Sequence, residues 1–176
     1  MSKSLARVAH ALERAGLEAV ILEMAEGTRT AEDAARAAQC QIDQIAKSII
    51  FREVASGELV LFITAGGNQV DPSRAEAMTG CALARADADT IRRVTGFAIG
   101  GVAPVGHLSP LRIWFDPRLL AFDLVYAAAG TPRHIFGISP EQLLQLSGAK
   151  QADFVAEIKR IGTDAKIFLE MGNMTH

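Results

Sequence analysis

Patterns that identify metal-dependent and nucleophilic enzymes are missing from this sequence. The two cysteines, Cys40 and Cys81, have neither metal-ligand spacing nor a CxxC pattern. We therefore expect reduced thiols in a cytoplasmic protein that needs no metal or other cofactor. Neither GxSxG nor HExxH occurs, and the four histidines lie far apart in the chain. A Ser/His/Asp triad assembled only on folding stays open, but we expect no conventional side-chain nucleophile.

Long apolar runs and an excess of positive charge are also missing. The sequence predicts neither a signal peptide nor a membrane span. A net charge of −2, from 18 Lys+Arg and 20 Asp+Glu, argues against a protein that coats DNA or long RNA. A few local charges could still hold one end of an RNA. Six arginines are candidates for such a patch, although each alone is better explained as a solvated charge: Arg52, Arg92, Arg93, Arg112, Arg118 and Arg133.

The composition predicts one globular domain. Its 176 residues, 49% hydrophobic and 22% charged, suffice for a sizeable core, and no linker, repeat or low-complexity segment interrupts them. Short helices alternate with six or seven strands, which favours an α+β fold with a mixed or antiparallel sheet. Strands are predicted at residues 18–23, 47–54, 59–64, 81–84, 111–115 and 121–127. Helices are predicted at residues 5–15, 30–38, 87–94 and 139–146, from residue 71, and again from residue 151.

Lys47 is unusual because it lies inside an apolar run, IAKSIIF at residues 45–51. Burial of an ammonium group is costly, so the position invites a functional explanation. The simpler interpretation is a lysine at a strand end that buries its stem and keeps its charge in water. The functional interpretation places the ammonium at the mouth of a pocket, where it would hold a phosphate or a terminal hydroxyl.

A second notable segment is the loop GGVAPVGH at residues 100–107. Its glycines allow backbone N–H groups to approach a ligand, and Pro104 stiffens the loop, so it could stabilise an oxyanion or orient a carbonyl. It could equally be an ordinary surface loop. His107 is a candidate general base or substrate contact. A structural role is a better explanation of a lone histidine than proton transfer, whereas a structural role and pocket lining explain it about equally well. The small residues 127–131 fit either a pocket floor or close packing.

Four segments, in this order and at this spacing, resemble the YbaK / prolyl-tRNA synthetase editing-domain family of aminoacyl-tRNA deacylases. Residues 45–51 look like the family's strand with its functional lysine, and residues 100–107 like its GxxxP substrate loop. Residues 128–130 (AAG) and 138–144 (ISPEQLL) are similar to its small-residue segment and to the helix that follows. The resemblance covers residues 5–149. Ala128 stands where the family often has Ser or Thr, so this position offers no hydroxyl.

The resemblance implies a fold and an activity. The fold is one compact domain over residues 1–150, with a mixed, barrel-like sheet surrounded by short helices. Residues 151–176, which the resemblance does not cover, are expected from their apolar spacing to form a C-terminal helical extension of the same domain. The activity is hydrolysis, in trans, of mischarged aminoacyl-tRNA, commonly tRNA(Pro) carrying a small residue such as alanine, cysteine or serine. The implied partners are the acceptor end of the tRNA and prolyl-tRNA synthetase, and the tRNA's own terminal hydroxyl would help to position the water.

The resemblance also implies roles for particular residues. Catalytic roles fall on Lys47, Gly100, Gly101 and Pro104. Substrate contacts fall on Val102, Ala103, Gly106, His107, Ala129 and Gly130. A size limit for the amino acid would come from the bulky residues Ile99, Val102 and Val105. Two other functions stay open, a non-catalytic module of the same fold that binds tRNA or a synthetase, and a phosphate-binding hydrolase of small molecules.

Overall fold

The computed structural model describes residues 2–18, 20–25 and 30–157. The α-helices in these residues are α1 (Lys3–Arg14), α2 (Ala31–Ala38), α3 (Pro72–Thr79), α4 (Ala88–Thr95) and α5 (Pro140–Ser147). The strands are β1 (Ile21–Glu23), β2 (Ile45–Glu53), β3 (Leu59–Ala65), β4 (Leu83–Arg85), β5 (Arg112–Phe115), β6 (Val125–Ala128), β7 (His134–Ile138) and β8 (Lys150–Gln151). Two 3-10 helices, Ile42–Gln44 and Pro117–Ala121, precede β2 and β6.

The short helices have well-defined ends. The side chains of Thr30 and Asp87 accept hydrogen bonds from backbone N–H groups in the first turns of α2 and α4. α3 and α5 each begin with a proline, whose missing N–H is not needed at that position. Three helices end at a glycine in the left-handed conformation, namely Gly80, Gly96 and Gly148.

The strands form one mixed sheet in the order β1-β7-β6-β2-β3-β5-β8, and β4 pairs with β2 outside this path. β2 pairs antiparallel with β3 and parallel with β6. The predicted α+β fold with a mixed sheet is therefore confirmed, but the described strands form an open sheet and do not close into a barrel. No helix within these residues is long and apolar enough to cross a bilayer.

Two local predictions are wrong, and one strand, β7, was not predicted at all. The strand predicted at residues 121–127 starts too early, because residues 117–121 form a 3-10 helix and the strand itself is β6. The helix predicted from residue 151 is not formed as far as residue 157, because Lys150–Gln151 pair with β5 and Val155 bridges Val70. The rest of that predicted helix lies outside the described residues.

Two apolar clusters lie on opposite faces of β2 and β3. Ala46 and Ile50 contribute to the central core, which also contains residues from α1, β6 and β7. Ile49 and Phe51 contribute to a smaller cluster on the other face. Because side chains alternate along a strand, Ser48 lies on the face of the central core. The same alternation places Lys47 and Ser48 on opposite faces of the sheet.

Candidate active site

A cleft of about 500 Å3 opens where β2 separates from β6. β2 pairs with β6 only at Ile45 and Ala46, and with β4 only from Phe51 onward. In the described chain, residues 47–50 therefore have no neighbouring strand on that side. The cleft is lined by this edge of β2, by α2 and Tyr126 on one face of the sheet, and by Ile99, Gly100 and Val102 on the other.

The charged groups of the cleft are cationic. Of the described residues that line it, Lys47 and Arg85 carry charge, and none is a carboxylate. The rest of the lining is mostly aliphatic. Two positive charges in a low-dielectric wall attract an anion, even though the whole chain has a net charge of −2. The described residues contain no group of three potential metal ligands.

Lys47 is held in place by the loop that follows β3. Its Nζ donates a hydrogen bond to the backbone carbonyl of Asn68 at 2.5 Å, and the residue is partly buried. Lys47 pairs with Thr64 on β3, and its hydrogen bond therefore joins the beginning of β2 to the loop that follows β3. An ammonium group fixed in this way acts as a positioned point charge beside the cleft.

Asp116 holds the loop that contains Asn68. It is 2% exposed, and its carboxylate accepts hydrogen bonds from the N–H of Ala65 (3.1 Å), the side-chain amide of Asn68 (2.9 Å) and the N–H of Arg118 (2.9 Å). A second buried carboxylate, Asp43, accepts from the N–H of Gly67 at 2.9 Å. The two carboxylates thus fix the loop 65–68 that positions Lys47.

The predicted loop contributes its first residues to the cleft. Gly100 and Val102 line it, whereas Gly101 does not. The N–H of Gly101 donates to the carbonyl of Ala98 at 3.1 Å, so it is already used. A Cβ at Gly101 would lie 2.7 Å from backbone atoms of Thr131, which explains the glycine by close packing. Gly100 and Val102 have no backbone acceptor among the described residues, so their N–H groups are available to a ligand.

Replacement of Gly101 by alanine is expected to lower the free energy of unfolding by about 1–3 kcal/mol, because the new methyl group collides with backbone. The loop must also move, which shifts Gly100 and Val102 in the cleft lining. Urea unfolding measures the change in stability, and Gly101→Ala with wild-type stability would contradict the expected clash.

The second half of the loop faces away from the cleft. Pro104, Gly106 and His107 line a separate cavity of about 430 Å3, and Ala103 is fully buried. A nitrogen of the His107 ring, Nε2, lies 2.7 Å from the carbonyl oxygen of Ala103. Arg7 of α1 donates to the carbonyl of Gly106 at 3.3 Å. The structure therefore does not bring these predicted residues to the cleft lining. It places them in the second half of the loop, which borders the separate cavity and is held by Arg7 of α1.

Burial, opposed by the bond to the Ala103 carbonyl and aided by Arg7, lowers the pKa of His107 below its ordinary value. The unfolded chain then binds a proton more readily than the folded one. We expect the free energy of unfolding to decrease as the pH falls below about 6.5, the usual histidine pKa. Above that value His107 should have no effect on the slope. Urea unfolding between pH 5 and 8 tests this, and an equally steep acid slope in His107→Gln would refute it.

Comparison with known proteins identifies the family. Residues 25–146 match the aminoacyl-tRNA editing domain. The chain belongs to the aminoacyl-tRNA editing domain family. A crystal structure described as a candidate trans-editing enzyme for prolyl-tRNA synthetase is 41% identical, with a TM-score of 0.82 over 89% of this chain and 99% of that one.

Two relatives by sequence are more distant. The proline–tRNA ligase of Desulforamulus reducens is 31% identical over 144 residues, which are 76% of this chain and 24% of the ligase. The chain thus spans about a quarter of that relative's length. YwhH of Bacillus subtilis is 26% identical over 130 residues, which are 74% of this chain and 82% of YwhH.

The small-residue segment of this editing domain divides between the cleft and the core. Ala127 and Ala128 line the cleft, as the pocket-floor interpretation requires. Ala129 is fully buried in the central core. A Cβ at Gly130 would lie 2.7 Å from the carbonyl oxygen of Ser4, so this glycine permits close packing of α1. The two residues predicted as substrate contacts, Ala129 and Gly130, therefore lie outside the cleft lining.

The cationic residue that the sequence analysis missed in this editing domain is Arg85. It is the last residue of β4, a short strand that no motif marks, and it reaches the cleft because β4 pairs with β2. None of the six arginines predicted as an RNA patch lines the cleft. Three of the six have protein acceptors: Arg112, Arg118 and Arg133. Ser48 was also missed, although it lies beside Lys47 in the recognised segment.

Proposed function

We propose that this editing domain hydrolyses the ester bond between a small amino acid and the end of a mischarged tRNA, with tRNA(Pro) as the substrate. The observation that carries the proposal is the cleft, in which Lys47 and Gly100, distant in sequence, line one apolar space of about 500 Å3. A volume of this order suits a small ligand. The 41% identity to a candidate trans-editing enzyme for prolyl-tRNA synthetase supports that tRNA and that synthetase as partner.

Each side of the cleft has its own task. The ammonium of Lys47 binds a phosphate or a hydroxyl of the terminal nucleotide as a point charge. The N–H groups of Gly100 and Val102 stabilise the negative oxygen that develops on the ester carbonyl. A water oxygen adds to the carbonyl carbon, the bond to the ribose oxygen breaks, and the water proton ends on that oxygen. As the family resemblance implies, a hydroxyl of the tRNA positions the water.

The aliphatic lining of the cleft selects the amino acid by its size. Ile91, Ile99 and Val102 line the cleft. Val105 lies in the second half of the loop, at the separate cavity, and has no part in this selection. A synthetase distinguishes substrates that differ by one methylene by only about 1–3 kcal/mol. A second site that admits the smaller residue and excludes the larger one therefore corrects an error that the first site cannot prevent.

The decisive experiment is a deacylation panel with the purified protein. tRNA(Pro) carrying alanine, cysteine, serine or 2-aminobutyrate is incubated with the wild type and with Lys47→Ala, and release of the amino acid is followed. We expect release of at least one small residue, and none of proline. No release above the Lys47→Ala rate from any of these, or from serine- and threonine-charged tRNAs, would reject the proposal. Binding of tRNA or synthetase without release would instead identify a non-catalytic binding module.

A further inference from the structure

The edge of β2 that borders the cleft carries unpaired backbone groups. The N–H of Glu53 donates toward β3, to Glu58, and that of Val54 donates the other way, to Ala82 next to β4. Since backbone groups alternate along a strand, even-numbered residues of β2 point away from β3. Between the last residue paired with β6 and the first paired with β4, those residues are Ser48 and Ile50. The alternation therefore directs the N–H and C=O groups of Ser48 toward the cleft.

Ser48 also has a side chain without a partner. Its Oγ is buried and makes no hydrogen bond within the residues that the structure describes. The residue lines the cleft, and its side chain lies on the face of the central core, with Ala46 and Ile50. Val102 packs against that same core, so Ser48 lies on the side where the loop meets the cleft. Buried hydroxyls in proteins normally have partners, and a ligand would supply one here.

We propose that Ser48 binds the α-amino group of the aminoacyl ester, with its hydroxyl and its backbone carbonyl as acceptors. The inference rests on the proposed function and assigns the amino group of the substrate, which the cationic groups of the cleft do not suit. Lys47 and Arg85 repel an ammonium group and attract phosphate. The free N–H groups of the loop suit the carbonyl oxygen. In an amino acid the amino nitrogen is two bonds from that carbonyl carbon, so its acceptor must lie near the groups that hold the carbonyl oxygen, and Ser48 lies on the loop's side of the sheet.

The test compares acyl groups on one tRNA. Alanyl-, lactyl- and propionyl-tRNA have acyl groups of nearly the same size and the same ester linkage, but only the first presents a free amino group. We expect the wild type to hydrolyse the alanyl ester with a kcat/KM about 10-fold or more above the other two, the scale of a hydrogen bond to a charged group. Ser48→Ala should reduce this preference, and Ser48→Thr, which keeps the hydroxyl, should retain more of it. Ser73→Ala, an exposed serine on α3, should leave the preference unchanged.

The outcomes separate this inference from the proposed function. If the wild type hydrolyses alanyl-tRNA but treats all three acyl groups alike, the function stands and the role of Ser48 is rejected. Equal loss of activity toward all three in Ser48→Ala would reject the role as well, because it indicates a purely structural effect. If none of the esters is hydrolysed, both proposals fail. Thermal unfolding of each variant confirms that the comparison is between folded proteins.

Discussion

Replacement of Lys47 by methionine is expected to lower the kcat/KM of deacylation about 10- to 150-fold, the range given by a hydrogen bond to a charged group of about 1.5–3 kcal/mol. Methionine keeps the apolar stem and removes the ammonium that is fixed by the Asn68 carbonyl at 2.5 Å. The proposed anchor for the RNA end is lost while the wall of the cleft stays intact. Stability should change by less than about 1 kcal/mol, since a partly buried charge contributes little to folding.

The matched control is Lys150→Met, which removes an exposed lysine on β8. We expect its deacylation rate to equal that of the wild type. Steady-state kinetics on alanyl-tRNA(Pro), with urea unfolding of both variants, provide the measurements. A Lys47→Met variant with the wild-type kcat/KM would show that the cation has no part in the reaction. An equal loss in both variants would indicate only that the total positive charge matters.

The sequence predicted the pairing of Lys47 with the glycine loop because both motifs are local and have a recognisable spacing. The structure does place Lys47 and Gly100 in one cleft, although they are far apart in the chain. It could not be predicted which residues of the loop face the cleft. That depends on the approach of Thr131 to Gly101 and of Arg7 to Gly106, which are contacts between distant segments. A loop sequence contains no record of such contacts.

The errors in secondary structure have a similar origin. β7 contains Gly137, which normally weakens a strand, but here the missing side chain leaves room for Leu124 and for the ring of Tyr126 on the neighbouring strand. β8 forms because β5 offers it a free edge, and nothing in residues 150 and 151 themselves favours a strand. The capped short helices were predicted well because a cap is decided within four residues. Pairing partners are decided by the whole fold.

The largest loss of stability is expected from Asp116→Ala. The substitution leaves three donors without their acceptor, the N–H groups of Ala65 and Arg118 and the side-chain amide of Asn68. The carboxylate is 2% exposed, so water cannot easily replace it. We expect the free energy of unfolding to fall by about 3–5 kcal/mol, the range for donors left unsatisfied in the interior. Urea unfolding at neutral pH measures it.

Asp153→Ala provides the control for the removal of a carboxylate as such. Asp153 is exposed and pairs with Arg74 at 3.2 Å, so its loss should cost less than about 1 kcal/mol. Asp116 has a second effect that Asp153 lacks, because the Asn68 it holds provides the carbonyl that fixes Lys47. Deacylation by Asp116→Ala should therefore be impaired even at temperatures where the variant is fully folded. Full activity in the folded variant would show that Lys47 keeps its position without this support, and equal stability of the two variants would contradict the role of the buried carboxylate.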